Sequence, residues 1–153
     1  MANFLWALVC ERVIIEEQHK TVSFISIVEN LNLPLPPANI LAQTPPPFIP
    51  FRFFIVTHWS RSKQDIGERV PGRVLLIGPN GKEFGKMEFV IDLTGAPRSR
   101  VIGQTIGIPL MGAGVYTCVV QSQTRTKWRK VGQVEFTISF IGGASGPQAE
   151  LSH

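Results

Sequence analysis

Apolar and polar side chains alternate with a period of two along much of this chain, and no stretch sustains the period of a helix. The clearest case is Val131 to Phe140. Val134, Phe136, Ile138 and Phe140 share one face, and Gln133, Glu135, Thr137 and Ser139 share the other. A second alternating run places Gly85, Met87, Phe89, Ile91 and Leu93 on one side, with Phe84, Lys86, Glu88, Val90 and Asp92 opposite. The turn Gly78-Pro79-Asn80-Gly81 joins that run to the short apolar strand Arg73 to Ile77. Pro presets φ there, while Asn and Gly tolerate positive values.

Other runs are apolar on both faces, as a central strand would be. Phe51 to Trp59 is the strongest, and Phe4 to Ile15 is interrupted only by Glu11 and Arg12. The polar Glu16-Glu17-Gln18-His19-Lys20 marks a turn into Thr21 to Val28, so the first thirty residues read as a hairpin. Gly112 to Gln121 has the β-branched density of a buried strand around Tyr116. Val101 to Leu110 is weaker, broken by Gly103, Gly107 and Pro109. Ser60 to Gly72 and Thr94 to Arg100 read as loops.

Seven of the twelve prolines fall between 34 and 50: Pro34, Pro36, Pro37, Pro45, Pro46, Pro47 and Pro50. Each ring fixes φ and removes a donor, so no helix or central strand is expected there. The segment reads as a packed, extended crossover, and its PxxP spacings also match groove-binding ligands. The pattern as a whole predicts an all-β fold: an antiparallel two-sheet β-sandwich of about eight strands, with a barrel second. Residues 1–141 form the single domain, and the Gly- and Ser-rich 142–153 a flexible tail.

Composition adds a constraint. Charged residues make up only 17% of 153, against about 25% in an ordinary soluble domain. A chain so poor in charge hides part of its exterior in an oligomer or partner, or covers it with Ser, Thr, Gln and Asn. The net charge of +4 is too mild to be a nucleic-acid signature alone. Cys10 and Cys118 are too few for a disulfide scaffold and too far apart in sequence for a metal-ligand pair. They read as reduced buried thiols, with a single bridge between packed sheets as the alternative. The apolar run before Cys10 lacks a cationic leader and is too short to cross a bilayer, so no membrane insertion is expected.

Candidate chemistry is sparse. Of three histidines, His19 lies in a turn, His58 in a buried-looking strand and His153 in the tail. Only His58 could serve an enzyme, and it reads better as a satisfied core or sheet-face side chain. Glu16, Glu17 and His19 cluster in one loop, a group more often solvated than metal-bound. No glycine motif follows a strand and opens a helix, so no cofactor is expected. One basic constellation remains at a hairpin tip: Arg125, Lys127, Trp128, Arg129 and Lys130, four cations around an indole. It is a candidate polyanion-binding surface.

Gly114, Tyr116 and Cys118 resemble the G-x-Y-x-C of the immunoglobulin F strand, in which the tyrosine anchors a corner. A wider likeness runs through Ala7-Leu8-Val9-Cys10-Glu11-Arg12-Val13-Ile14, Thr21 to Leu31, Val56-Thr57-His58-Trp59 and Gly78-Pro79-Asn80-Gly81-Lys82. In these segments the chain resembles a bacterial family of small proteins carrying a domain of unknown function. That resemblance implies an all-β cytoplasmic protein from bacteria or their phages and supplies no activity. The expected function is therefore non-enzymatic contact, as a subunit of an assembly or an adaptor, with a protein partner or a second copy. The alternative is a nucleic-acid-binding module using the tip 125–130.

Overall fold

The computed structural model describes residues 2–63 and 66–142; the tail expected beyond Gly142 lies outside the described residues. Its strands are β1 (Asn3–Glu16), β2 (Thr21–Ile27), β3 (Asn30–Pro34), β4 (Phe48–Ile49), β5 (Phe53–Ser60) and β6 (Arg69–Ile77). They continue with β7 (Glu83–Asp92), β8 (Arg98–Thr105), β9 (Ile108–Pro109), β10 (Gly114–Thr124) and β11 (Lys127–Ile141). One helical turn, α1 (Ala38–Leu41), completes the set. The first sheet runs β2-β1-β5-β8 and the second β3-β11-β10-β6-β7, with β4 and β9 forming a small third pair. Every pairing is antiparallel except β3 on β11. The two large sheets pack face to face as a β-sandwich.

The inner faces follow the period of two. Phe53, Ile55 and Trp59 of β5 meet Val74 and Leu76 of β6, Tyr116, Cys118 and Val120 of β10, and Phe136 and Ile138 of β11. Aromatic rings carry much of this contact. Phe53 stands edge-on to Phe136 at 5.7 Å, and Phe136 stacks on Tyr116 at 5.5 Å. At the other end Trp59 touches Phe4 at 5.4 Å, and its Nε1–H donates to Thr57 Oγ1 at 2.8 Å, which satisfies the buried indole. Tyr116 donates to the Gly112 carbonyl at 3.0 Å and accepts from the Met111 N–H at 3.1 Å. It thereby pins the corner that leads into β10, the role the F-strand likeness assigns to it.

β1 belongs to two neighbourhoods. Its first half pairs with β5 and its second half with β2, with Cys10 bonded into both. A bulge between Phe4 and Trp6 turns Phe4 inward, where its ring fills the space that a Cβ on Gly132 would occupy. Trp6 is left on the outer face of the first sheet. Phe24 pairs with Val13, seven residues along β1 from Trp6, which is roughly 23 Å of extended strand. Its ring nevertheless lies 5.8 Å from the Trp6 ring. The strand therefore curls, folding the β1–β2 hairpin back over the outer face. That cover explains why Cys10, Val56 and His58 are buried although they point away from the core between the sheets.

The eight longer strands are those expected, and the short β3, β4 and β9 add to them among prolines and glycines that hide them. Three expectations need correction. Phe84, assigned above to the wet face of its strand, packs edge-on to Tyr116 at 5.9 Å, because a bulge between Leu76 and Ile77 shifts the register beside it. The Pro-rich crossover holds a helical turn after all, fitted into the proline-free interval after Pro37. It is tied down by main-chain bonds such as Leu110 N–H to the Pro47 carbonyl at 2.7 Å. Yet Leu35, Leu41 and Phe48 are exposed, so only part of it is packed. Finally, the two expected loops are shorter, since β6 begins at Arg69 and β8 at Arg98.

Candidate functional site

The basic hairpin tip distributes its side chains over both faces of the β10–β11 ribbon. β10 and β11 pair to the turn, with Gln123 opposite Trp128 and Thr124 opposite Lys127, and Arg125 takes the left-handed φ of 57° that the tight reversal needs. On a strand, neighbouring side chains point to opposite faces. Trp128 and Lys130 thus share the outer face, while Lys127 and Arg129 face the other way. The Arg73 guanidinium lies 4.1 Å from the centroid of the Trp128 ring and donates to Gln121 Oε1 at 2.7 Å. One face of the indole is occupied from within the protein. Lys130 donates to Gln133, which donates to Glu135 at 2.7 Å. Arg129 and Lys130 both border a cleft of about 290 Å³ that Asn3, Phe4 and Ser122 also line, and Arg125 lines a separate one with Glu68 and Arg69.

His58 lies on the outer face of the first sheet, 8% exposed, with the Trp6 ring edge-on at 4.9 Å. It is not the satisfied histidine expected above: Nδ1 is enclosed without a hydrogen-bond partner. Among the described residues no acceptor or donor reaches that nitrogen. Burial holds the imidazole below its ordinary pKa, with further push from Arg100 and Arg98. His58 pairs with Arg100 and Ser60 with Arg98 across β5 and β8, so both arginines stand beside it. The sequence reading placed 98–100 in a loop and missed this cluster. The Arg-Ser-Arg alternation after Pro97 is the signal that could have extended the strand.

The remaining candidates stay apart. Both cysteines are free and buried, Cys118 within the core between the sheets and Cys10 outside it, so the inter-sheet bridge is not formed. Burial pushes the Cys118 thiol up to about 12 and raises Cys10 as well. In the first turn, His19 Nδ1 lies 3.1 Å from Glu16 Oε1, and Thr21 donates to the same carboxylate at 2.9 Å. Among the described residues no three His, Cys, Asp or Glu side chains converge as a metal site. No described helix is long and apolar enough to cross a membrane.

A further apolar surface lies on the β1–β2 hairpin. Ile14, Ile15, Ile25 and Ile27 are all exposed on it, Ile15 and Ile27 each at 58%. The sequence marked these residues as strand and gave no sign of which would stay uncovered. The outer edges of the sheets differ in chemistry. β8 carries Arg98 and Arg100, β7 carries the Lys86–Glu88 pair at 3.0 Å, and β3 ends in Pro34. Such charges and prolines block pairing with another chain. β2, from Thr21 to Ile27, has neither a charge nor a proline. No protein-family model matches the chain, and no curated protein sequence matches it.

Proposed function

We propose that the protein works by contact rather than by bond-making, as a subunit that associates with a second copy of itself through the open edge of β2. One observation carries this reading: β2 alone among the outer strands of the two large sheets lacks a blocking charge or proline, and it sits beside four exposed isoleucines. Its unpaired N–H and C=O groups are a template for strand addition, and a two-fold axis makes an antiparallel β2–β2 pairing self-complementary. The low overall charge is what a chain with a covered apolar surface would have.

Size-exclusion chromatography with light scattering tests it. The wild-type chain should run as a dimer at micromolar concentration. Ile25→Lys with Ile27→Lys should give a monomer with an unchanged β-sheet circular dichroism spectrum. A wild-type monomer, or a dimer untouched by the two lysines, overturns the proposal.

A further inference from the structure

A buried histidine stands beside two exposed arginines, and among the described residues no acid pairs with either. Two residues apart on β8, Arg98 and Arg100 point to the same face, and cross-strand pairing brings that face within about 5 Å of β5. Like charges so placed repel, and their field opposes protonation of His58. Neither guanidinium has an ion pair or hydrogen bond among the described residues. Together with His58 and Ser99 they line an open cleft of about 200 Å³. The fold itself does not need the two guanidinium groups: the β5–β8 pairing is made by main-chain bonds, and the core between the sheets lies on the other side.

The imidazole supplies the second observation. With Nδ1 enclosed and unpartnered, Nε2 is the ring nitrogen left to meet the cleft. Enclosing a bare lone pair costs less than enclosing an N–H with no acceptor, so the neutral ring carries its hydrogen on Nε2, facing out. Trp6, edge-on at 4.9 Å, holds the ring in that orientation. The cleft is therefore bordered by donors: two guanidinium forks and one imidazole N–H.

We propose that this cleft binds a single phosphate group, as free phosphate or as a phosphomonoester. Arginine forks match the oxygens of a tetrahedral anion in pairs, and the Nε2–H gives a fifth donor from the floor. The cleft is shallow and open, so it takes a terminal phosphate and leaves whatever the phosphate is attached to in solvent. Binding is linked to the imidazole. The charged groups facing His58 are Arg98 and Arg100 on β8; Trp6 from β1, packed on the same ring, is neutral. Burial is the larger cause of the lowered His58 pKa and the two arginines add to it; a dianion between them offsets their part, so phosphate raises the pKa.

Nuclear magnetic resonance of the histidine rings in the full chain tests this, with inorganic phosphate as the probe and sodium chloride at equal ionic strength as the control. The His58 signals should shift saturably with phosphate only, and the titration midpoint of His58 should move to higher pH in its presence. Arg98→Ala with Arg100→Ala, both exposed and outside the core, should weaken binding at least tenfold while leaving the fold intact. A phosphomonoester such as adenosine monophosphate should bind as well as free phosphate. Shifts that chloride reproduces, or that survive the double substitution, overturn the proposal. So does a single-stranded oligonucleotide that binds far more tightly and with a steep salt dependence, since that marks a surface reading many phosphodiesters.

Discussion

Two long hairpins in this molecule are written in the same alternating code and end differently. In β10–β11, Tyr116, Cys118, Val120, Phe136 and Ile138 are buried to within 2% exposure. In the outer half of β1 with β2, Ile14, Ile15, Ile25 and Ile27 stand in solvent. The strands themselves are not the cause, since both hairpins are rich in β-branched residues. Their neighbours are: β10 is bonded on one side to β11 and on the other to β6, and the opposite sheet covers its inner face. β2 has β1 on one side and, among the described residues, no strand on the other. An alternating strand specifies which side chains share a face, and only its surroundings specify whether that face is covered.

The contrast can be broken by substitution. Phe136→Ala removes the ring that touches both Phe53 and Tyr116, and should cost about 3–5 kcal/mol in urea-induced unfolding. A loss below about 1 kcal/mol would mean that the sheets do not pack through this ring. Tyr116→Phe keeps the ring and deletes the hydroxyl that joins the Met111 N–H to the Gly112 carbonyl. The expected loss is about 1 kcal/mol, the usual net worth of a buried hydrogen bond, and a neutral result would remove the corner from the list of stabilising features. Ile15→Thr, on the exposed hairpin, should change stability by no more than about 0.5 kcal/mol. It is best measured at low protein concentration, where association contributes least. A cost of 2 kcal/mol there would place Ile15 in a covered environment within one chain.

The alternation made β5, β10, β11 and the β6–β7 hairpin readable from residues alone, including the inward set Val134, Phe136, Ile138 and Phe140. Phe84 was misread because a bulge in the pairing, which no residue type announces, shifts the register at that point. The layout of the basic tip was hidden for a simpler reason. Adjacent residues on a strand diverge, so Lys127 and Arg129 part from Trp128 and Lys130, and Arg73, distant in sequence, covers the indole.

What the residues determined unaided is local: where strands run, where prolines forbid them, which side chains share a face, and how few charges remain for the surface. Those outcomes depend on φ preferences and on side-chain spacing, which act over two to four residues. Tertiary structure decided the rest. It curled β1 until Phe24 reached Trp6, set β8 beside β5 so that Arg98 and Arg100 flank His58, and left β2 at the edge of its sheet. Each of these joins segments tens of residues apart, and only the register and the packing of complete sheets bring such segments together.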